Sequence, residues 1–177
     1  MSGEAGLEEV AAKTTQEVAE LEASVDVSHF VSTIAPQWSR RFFAISEEIG
    51  QTSDGAIVKI VSTNQNAGGT NQWIKIANMY QKTLNEPYVE LGKDENLAIE
   101  FLRDHGVFGS NDIVLPAGEY NGIPDIHAEE RAMYYSQANN ITPRSIVVVP
   151  DPCGECQTLA SVLKKSLGWD FSLVGLP

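Results

Sequence analysis

Apolar residues recur along this chain in two rhythms, one close to the turn of a helix and one close to the alternation of a strand. Trp38, Phe42, Ile45 and Ile49 share a helical face, with Pro36 at the opening and Gly50 at the close, which predicts a helix over 36–49. Trp73, Ile76, Ala77, Tyr80 and Leu84 form a second stripe and predict a helix over 72–84. A third helix is expected over 95–105. A fourth is expected over 126–139, where Ala128, Ala132, Tyr135 and Ala138 sit near the helical period and Asn139, Asn140 and Pro143 end it. A fifth runs over 156–167, with Leu159, Val162, Leu163 and Leu167 on one side and Gly168 as its stop. Between them, Ala56 to Ser62 alternates as a first strand, and Asp112 to Leu115 reads as a second, closed by Pro116-Ala117-Gly118. Ser145 to Val149 holds the continuous run Ile-Val-Val-Val expected of a strand buried on both faces, and Phe171 to Val174 makes a last strand. Strand, helix and strand in that final stretch predict a parallel, right-handed crossover, so the fold class is α/β. Tyr88 to Leu91 is an alternative strand, which would change the strand order.

The chemistry-bearing residues fall on the starts of the last two helices. His127-Ala128-Glu129 precedes or opens one, and Pro152-Cys153-Gly154-Glu155-Cys156, holding both cysteines of the chain, opens the other. One imidazole and two thiolates make three zinc ligands, and three ligands leave a tetrahedral position for water. A cysteine pair at a helix start favours thiolate over thiol, because the free N–H groups and the dipole end are positive there. Zinc lowers the pKa of its bound water from ~15.7 toward ~7, and the remaining carboxylate, Glu129, is then suited to proton transfer. Residues two apart do not share a helix face, so His127 and Glu129 converge only at an irregular helix entry, for which Pro124-Asp125 is a suitable loop. His-x-Glu alone is a weak signal. Cys-x-x-Cys alone also suits a redox pair or half of a structural zinc site. The redox reading leaves His127 and Glu129 unexplained, and a four-ligand structural site would need His29 or His105, neither of which has partner spacing.

The joint pattern His-x-Glu with Pro-Cys-x-x-Cys is the signature of zinc-dependent base deaminases. From about Ala56 to the C-terminus the chain resembles the cytidine deaminase-like superfamily, and within it the bacterial toxin-type (polymorphic toxin) nucleobase deaminases more than the housekeeping nucleoside enzymes. The resemblance implies a three-layer α-β-α fold, with a mixed sheet and the zinc site at two helix N-termini. It implies His127, Cys153 and Cys156 as zinc ligands and Glu129 as the catalytic acid and base. It also places the Ala128 backbone N–H against the base, and an amide from the loop after the first strand, Asn64, Gln65 or Asn66, at base or sugar. A plain turn is an equal reading of that Gly-Gly loop. Cytosine is preferred over adenine by resemblance alone. The resemblance, the chain layout and the inserted segment favour nucleic acid as substrate, DNA before RNA. The resemblance also suggests a cognate immunity protein as partner and delivery as part of a larger toxin, and reduced, zinc-bound cysteines suit action in a cytoplasm.

Composition tempers the substrate choice. The net charge is −12, whereas binding to a phosphate backbone wants clustered Lys and Arg. Residues 1–26 carry seven acids against Lys13, half of that net charge, on a helix-prone stretch with Leu7, Val10, Thr14, Val18 and Leu21 near heptad spacing. Residues 1–35 are therefore expected to be an acidic helical extension, and 36–177 a deaminase-like catalytic domain with a helical insertion at about 72–108. For Trp73 and Tyr80 in that insertion, core packing is favoured over substrate stacking. Trp38 and Trp169 are expected in the core, and His29 and His105 at the surface. No run of the sequence suits a membrane helix, and Met1-Ser2-Gly3-Glu4 lacks the basic and apolar pattern of a signal peptide. Two further functions stay open: a deaminase of free nucleosides or nucleotides, which the acidic charge penalises less, and a zinc-stabilised binding module without catalysis.

Overall fold

A computed structural model describes residues 44–64, 71–117, 127–149 and 154–175 of the chain. Among the described residues the architecture is α/β, a mixed five-stranded sheet with four helices. In chain order these are β1 (Ile45–Gln51), β2 (Ile57–Thr63), α1 (Gln72–Gln81), α2 (Glu95–Asp104), β3 (Ile113–Val114), α3 (Ala128–Ala138), β4 (Thr142–Val149), α4 (Gly154–Leu167) and β5 (Ser172–Gly175). The sheet order is β3-β2-β1-β4-β5. β1 runs antiparallel to both β2 and β4, whereas β2 with β3 and β4 with β5 are parallel. The parallel pairing of β4 and β5 is the one expected from the strand–helix–strand pattern. No strand forms over 88–91.

The largest departure from the sequence reading lies at β1. Ile45 to Ile49, expected as the end of a helix begun at Pro36, is a strand, and residues 36–43 lie outside the described residues. Ile45 and Ile49 are four apart, which suits one face of a helix and also one face of a strand. Long-range pairing decides between them, because β1 is the central strand and hydrogen-bonds on both edges. The strand expected to be first is consequently β2, joined to β1 by a tight hairpin at Thr52 to Ala56. There the Thr52 N–H donates to the Ala56 carbonyl at 2.9 Å.

Helices cover both faces of the sheet. Ile45 of β1, Val61 of β2 and Val114 of β3 pack with Trp73, Ile76, Ala77 and Tyr80 of α1 and with Ala98, Phe101 and Leu102 of α2. Trp73 is fully buried, meets Phe108 edge to face, and donates its indole N–H to the Leu115 carbonyl at 2.7 Å, so the aromatics of α1 are core residues as expected. On the opposite face Ile60 packs with Ala132 of α3, and Ile146 packs with Met133 of α3 and with Ala160 and Leu163 of α4. Ile146 to Val149 is buried throughout, as a strand covered on both sides should be. The buried stripes of α3 and α4 are rotated from those read in the sequence. α3 buries Ala128, Ala132, Met133 and Ser136 and exposes Ala138, and α4 buries Cys156, Ala160 and Leu163 while Val162 and Leu167 face outward. Trp169 is half-buried against that core, and His105 is partly buried, held between the Phe101 carbonyl and Glu86 at 2.9 Å each. His29 and Trp38, and the whole 1–35 extension, lie outside the described residues.

Candidate metal centre

His127 sits at the N-cap of α3 in an extended conformation (φ −90°, ψ 135°), and its ring makes no capping hydrogen bond. The backbone turns helical only from Ala128, so His127 and Glu129 escape the divergence that two residues so spaced would have inside a helix. Glu129 and Glu130 occupy the first turn, where carboxylates are stabilised by the free backbone N–H groups, and both are nearly buried, 3% exposed each. Cys156 lies in the first turn of α4, fully buried and not in a disulfide. The tertiary structure brings the starts of α3 and α4 together. One ligand atom each from His127, Glu129 and Cys156 lies within 4.8 Å of the other two. Nitrogen, sulfur and carboxylate oxygen at that spacing fit the donor chemistry of zinc. Cys153 falls outside the described residues.

A second group of donors shares the histidine. His127, Glu130 and Glu155 also lie within 4.8 Å of one another. The His127 Nε2 is 3.4 Å from a Glu155 carboxylate oxygen, and the Cys156 Sγ is 3.6 Å from Oε1 of Glu130. The sequence reading missed both glutamates. The available signal was their position, each beside a motif residue on a first helical turn. Which of them faces the cysteine depends on how two helices are oriented, which no local pattern contains.

Two polar networks, one partly buried and one fully buried, link α3 to the sheet. Arg131, 1% exposed, donates to the Pro116 carbonyl after β3, and burial pulls its guanidinium pKa down while Glu95 opposes that shift. Glu95 Oε2 in turn accepts from the Ala117 N–H at 2.9 Å and from the side-chain amide of Asn71, whose own oxygen caps α1. The starts of α1, α2 and α3 are thereby linked to one end of the sheet. Two turns further along α3, the Ser136 hydroxyl donates to the carboxylate of Glu48, a fully buried residue of β1.

The residues expected at the substrate are placed unequally. Asn64 follows β2 at the sheet end shared with Val149, since Thr63 and Val149 both pair with Ile45. Its side-chain oxygen accepts from the Ala44 N–H at 2.8 Å and from the Thr63 hydroxyl at 3.2 Å, so that oxygen closes the open end of the β1–β2 ladder. Ala128 is fully buried at the start of α3. Gln65 and Asn66 lie outside the described residues. No family model, curated protein or solved structure was found to match the chain, so the functional reading rests on the geometry of the site itself.

Proposed function

We propose that the protein is a zinc-dependent hydrolase that removes the exocyclic amine of a nucleobase, with cytosine in DNA as the first substrate to test. The observation that carries this reading is the convergence of His127, Glu129 and Cys156 within 4.8 Å at two helix starts, with a buried carboxylate beside a nitrogen and a sulfur donor. His127, Cys156 and Cys153 would hold the metal, in the arrangement expected of a deaminase-like three-layer fold. Zinc, when bound there, supplies a Lewis acid that makes water a nucleophile near neutral pH. Glu129 accepts one proton from the attacking water on a carboxylate oxygen and delivers it to the ring nitrogen, then accepts the second from the added hydroxyl and passes it to the amine, which leaves as ammonia. Water thus adds at the ring carbon and the carbon–nitrogen bond breaks, leaving a carbonyl. Burial of Glu129 excludes bulk water from that exchange.

A second reading, deamination of free nucleosides or nucleotides, is favoured for the nucleoside by the two carboxylates next to His127 and by the net charge of −12, both of which repel phosphate, whereas a nucleotide would still want a cation near its phosphate. A purely structural zinc site gains nothing from a buried carboxylate such as Glu129 at the metal. The deciding experiment measures uracil in genomic DNA of cells expressing the chain, beside a Glu129→Ala control that retains zinc. Uracil that depends on Glu129 supports DNA cytosine as substrate. If there is none while zinc is bound and the protein is folded, the DNA reading fails, and release of ammonia from cytidine and its nucleotides tests the second reading.

A further inference from the structure

Glu130 and Glu155, which have no part in proton transfer at the metal centre, share an open groove of about 390 Å³ between α3 and α4. Tyr134 and Thr158 line it too, and Leu159 and Val162 form its apolar end. Val162 is 55% exposed, although its spacing in the sequence suits the core stripe of α4. The groove is therefore graded: carboxylates beside His127 at one end, aliphatic surface at the other. Along α4, Leu159 follows Glu155 by about one turn and Val162 by about two, or roughly 6 and 10 Å.

We propose that this groove docks a protein segment presenting Lys or Arg one to two helical turns from an aliphatic side chain, and that docking covers the His127 side of the metal centre. Charge selects the occupant. Phosphate and acidic peptides are repelled by Glu130 and Glu155, and the chain's own residues 1–26, with seven acids and one base, carry the wrong sign. The aliphatic end selects further, because a cation alone leaves Leu159 and Val162 in water, whereas an amphipathic helix covers both ends at once. An open groove of this form suits a side-chain row better than an enclosed small molecule. The Glu155 carboxylate lies 3.4 Å from His127 Nε2, so a cation drawn to Glu155 sits beside the His127 ring. The blocking consequence rests on the proposed deaminase reading; the docking does not.

The test uses the full chain and three labelled helical peptides, read by fluorescence anisotropy: one with Lys and Leu at the spacing above, one with Lys replaced by Glu, and one with Leu replaced by Ser. The Lys/Leu peptide is expected to bind saturably and at least about tenfold more tightly than either control, a difference of about 1.4 kcal/mol. Glu155→Lys and Val162→Asp should each weaken it by about tenfold or more, while Glu100→Lys, an equal charge change at an exposed position of α2, should leave it unchanged. Equal weakening by Glu100→Lys would reduce the effect to net charge and overturn the proposal. So would the absence of saturable binding to folded protein, or indifference to Val162→Asp. The readout needs no turnover, so failure of the deaminase reading leaves it interpretable.

Discussion

Glu48 is the residue whose setting differs most from its chemistry. It lies fully buried on the central strand, accepts one hydrogen bond from Ser136, and has no partner for Oε1 among the described residues. Burial raises its pKa from 4.5 to about 8, with the Ser136 hydrogen bond opposing the shift in part. The folded state therefore keeps a proton that the unfolded chain releases. The stability Glu48 contributes is fully present below 4.5 and is lost progressively as pH rises toward about 8. Glu48→Gln keeps the hydrogen-bonding shape and removes the ionisation. Denaturant unfolding of this variant should show a flatter pH dependence than the parent across that window, with the variant the more stable at its alkaline end by a few kcal/mol. Parallel pH profiles would show that Glu48 is ionised in the fold. Nothing in the pair Glu47-Glu48 announces this burial, because an acid-rich stretch reads as solvated. The possible donors that the fold brings together, His127, Glu129 and Cys156, were legible at the same scale, since His-x-Glu and Cys-x-x-Cys carry their chemistry in residue type and spacing.

At the scale of elements, β1 and its partners show why helix and strand can exchange. Gly50 faces Pro143 of β4, and the β1–β4 register shifts between Ile49 and Gly50, so the proline's missing N–H falls where the ladder is already irregular. A Cβ at Gly50 would come within 2.5 Å of Ile141 Cγ2 and 3.1 Å of a Glu48 carboxylate oxygen. The branched isoleucine has little freedom to yield. Gly50→Ala is expected to cost about 1–3 kcal/mol, read as a lowered unfolding midpoint with zinc content unchanged. A neutral result would mean that Ile141 and the bulge relax at no cost. The helix α1 was readable because its stripe is long and regular. The outward turn of Val162 was not, since a row of aliphatic residues does not say which of its members meets the sheet.

For the whole molecule, the metal reading makes a thermodynamic prediction. The starts of α3 and α4 belong to separate stretches of chain, and an ion held by both binds only the folded arrangement. Zinc should raise the melting temperature of wild type and of Glu129→Ala alike, and a chelator should reverse the rise. Cys156→Ala should lose most of the zinc and most of the shift, by about 2–4 kcal/mol at saturating metal. A rise that survives Cys156→Ala would place the bound metal elsewhere, with His127, Glu130 and Glu155 the first group to examine.

What the sequence determined on its own is what short-range spacing can encode. It contained the α/β class, the helices with regular apolar stripes, the doubly buried β4, and three donor types at two helix starts. Tertiary structure decided the rest. It made 45–51 a central strand, because β2 and β4 supply hydrogen bonds on both edges. It rotated α3 and α4 so that Ser136 meets Glu48 and Val162 meets solvent, because packing against a sheet selects one face among several apolar ones. It also brought Glu130 and Glu155 to His127, since a distance between residues of two helices depends on how those helices cross, and no local period carries that angle.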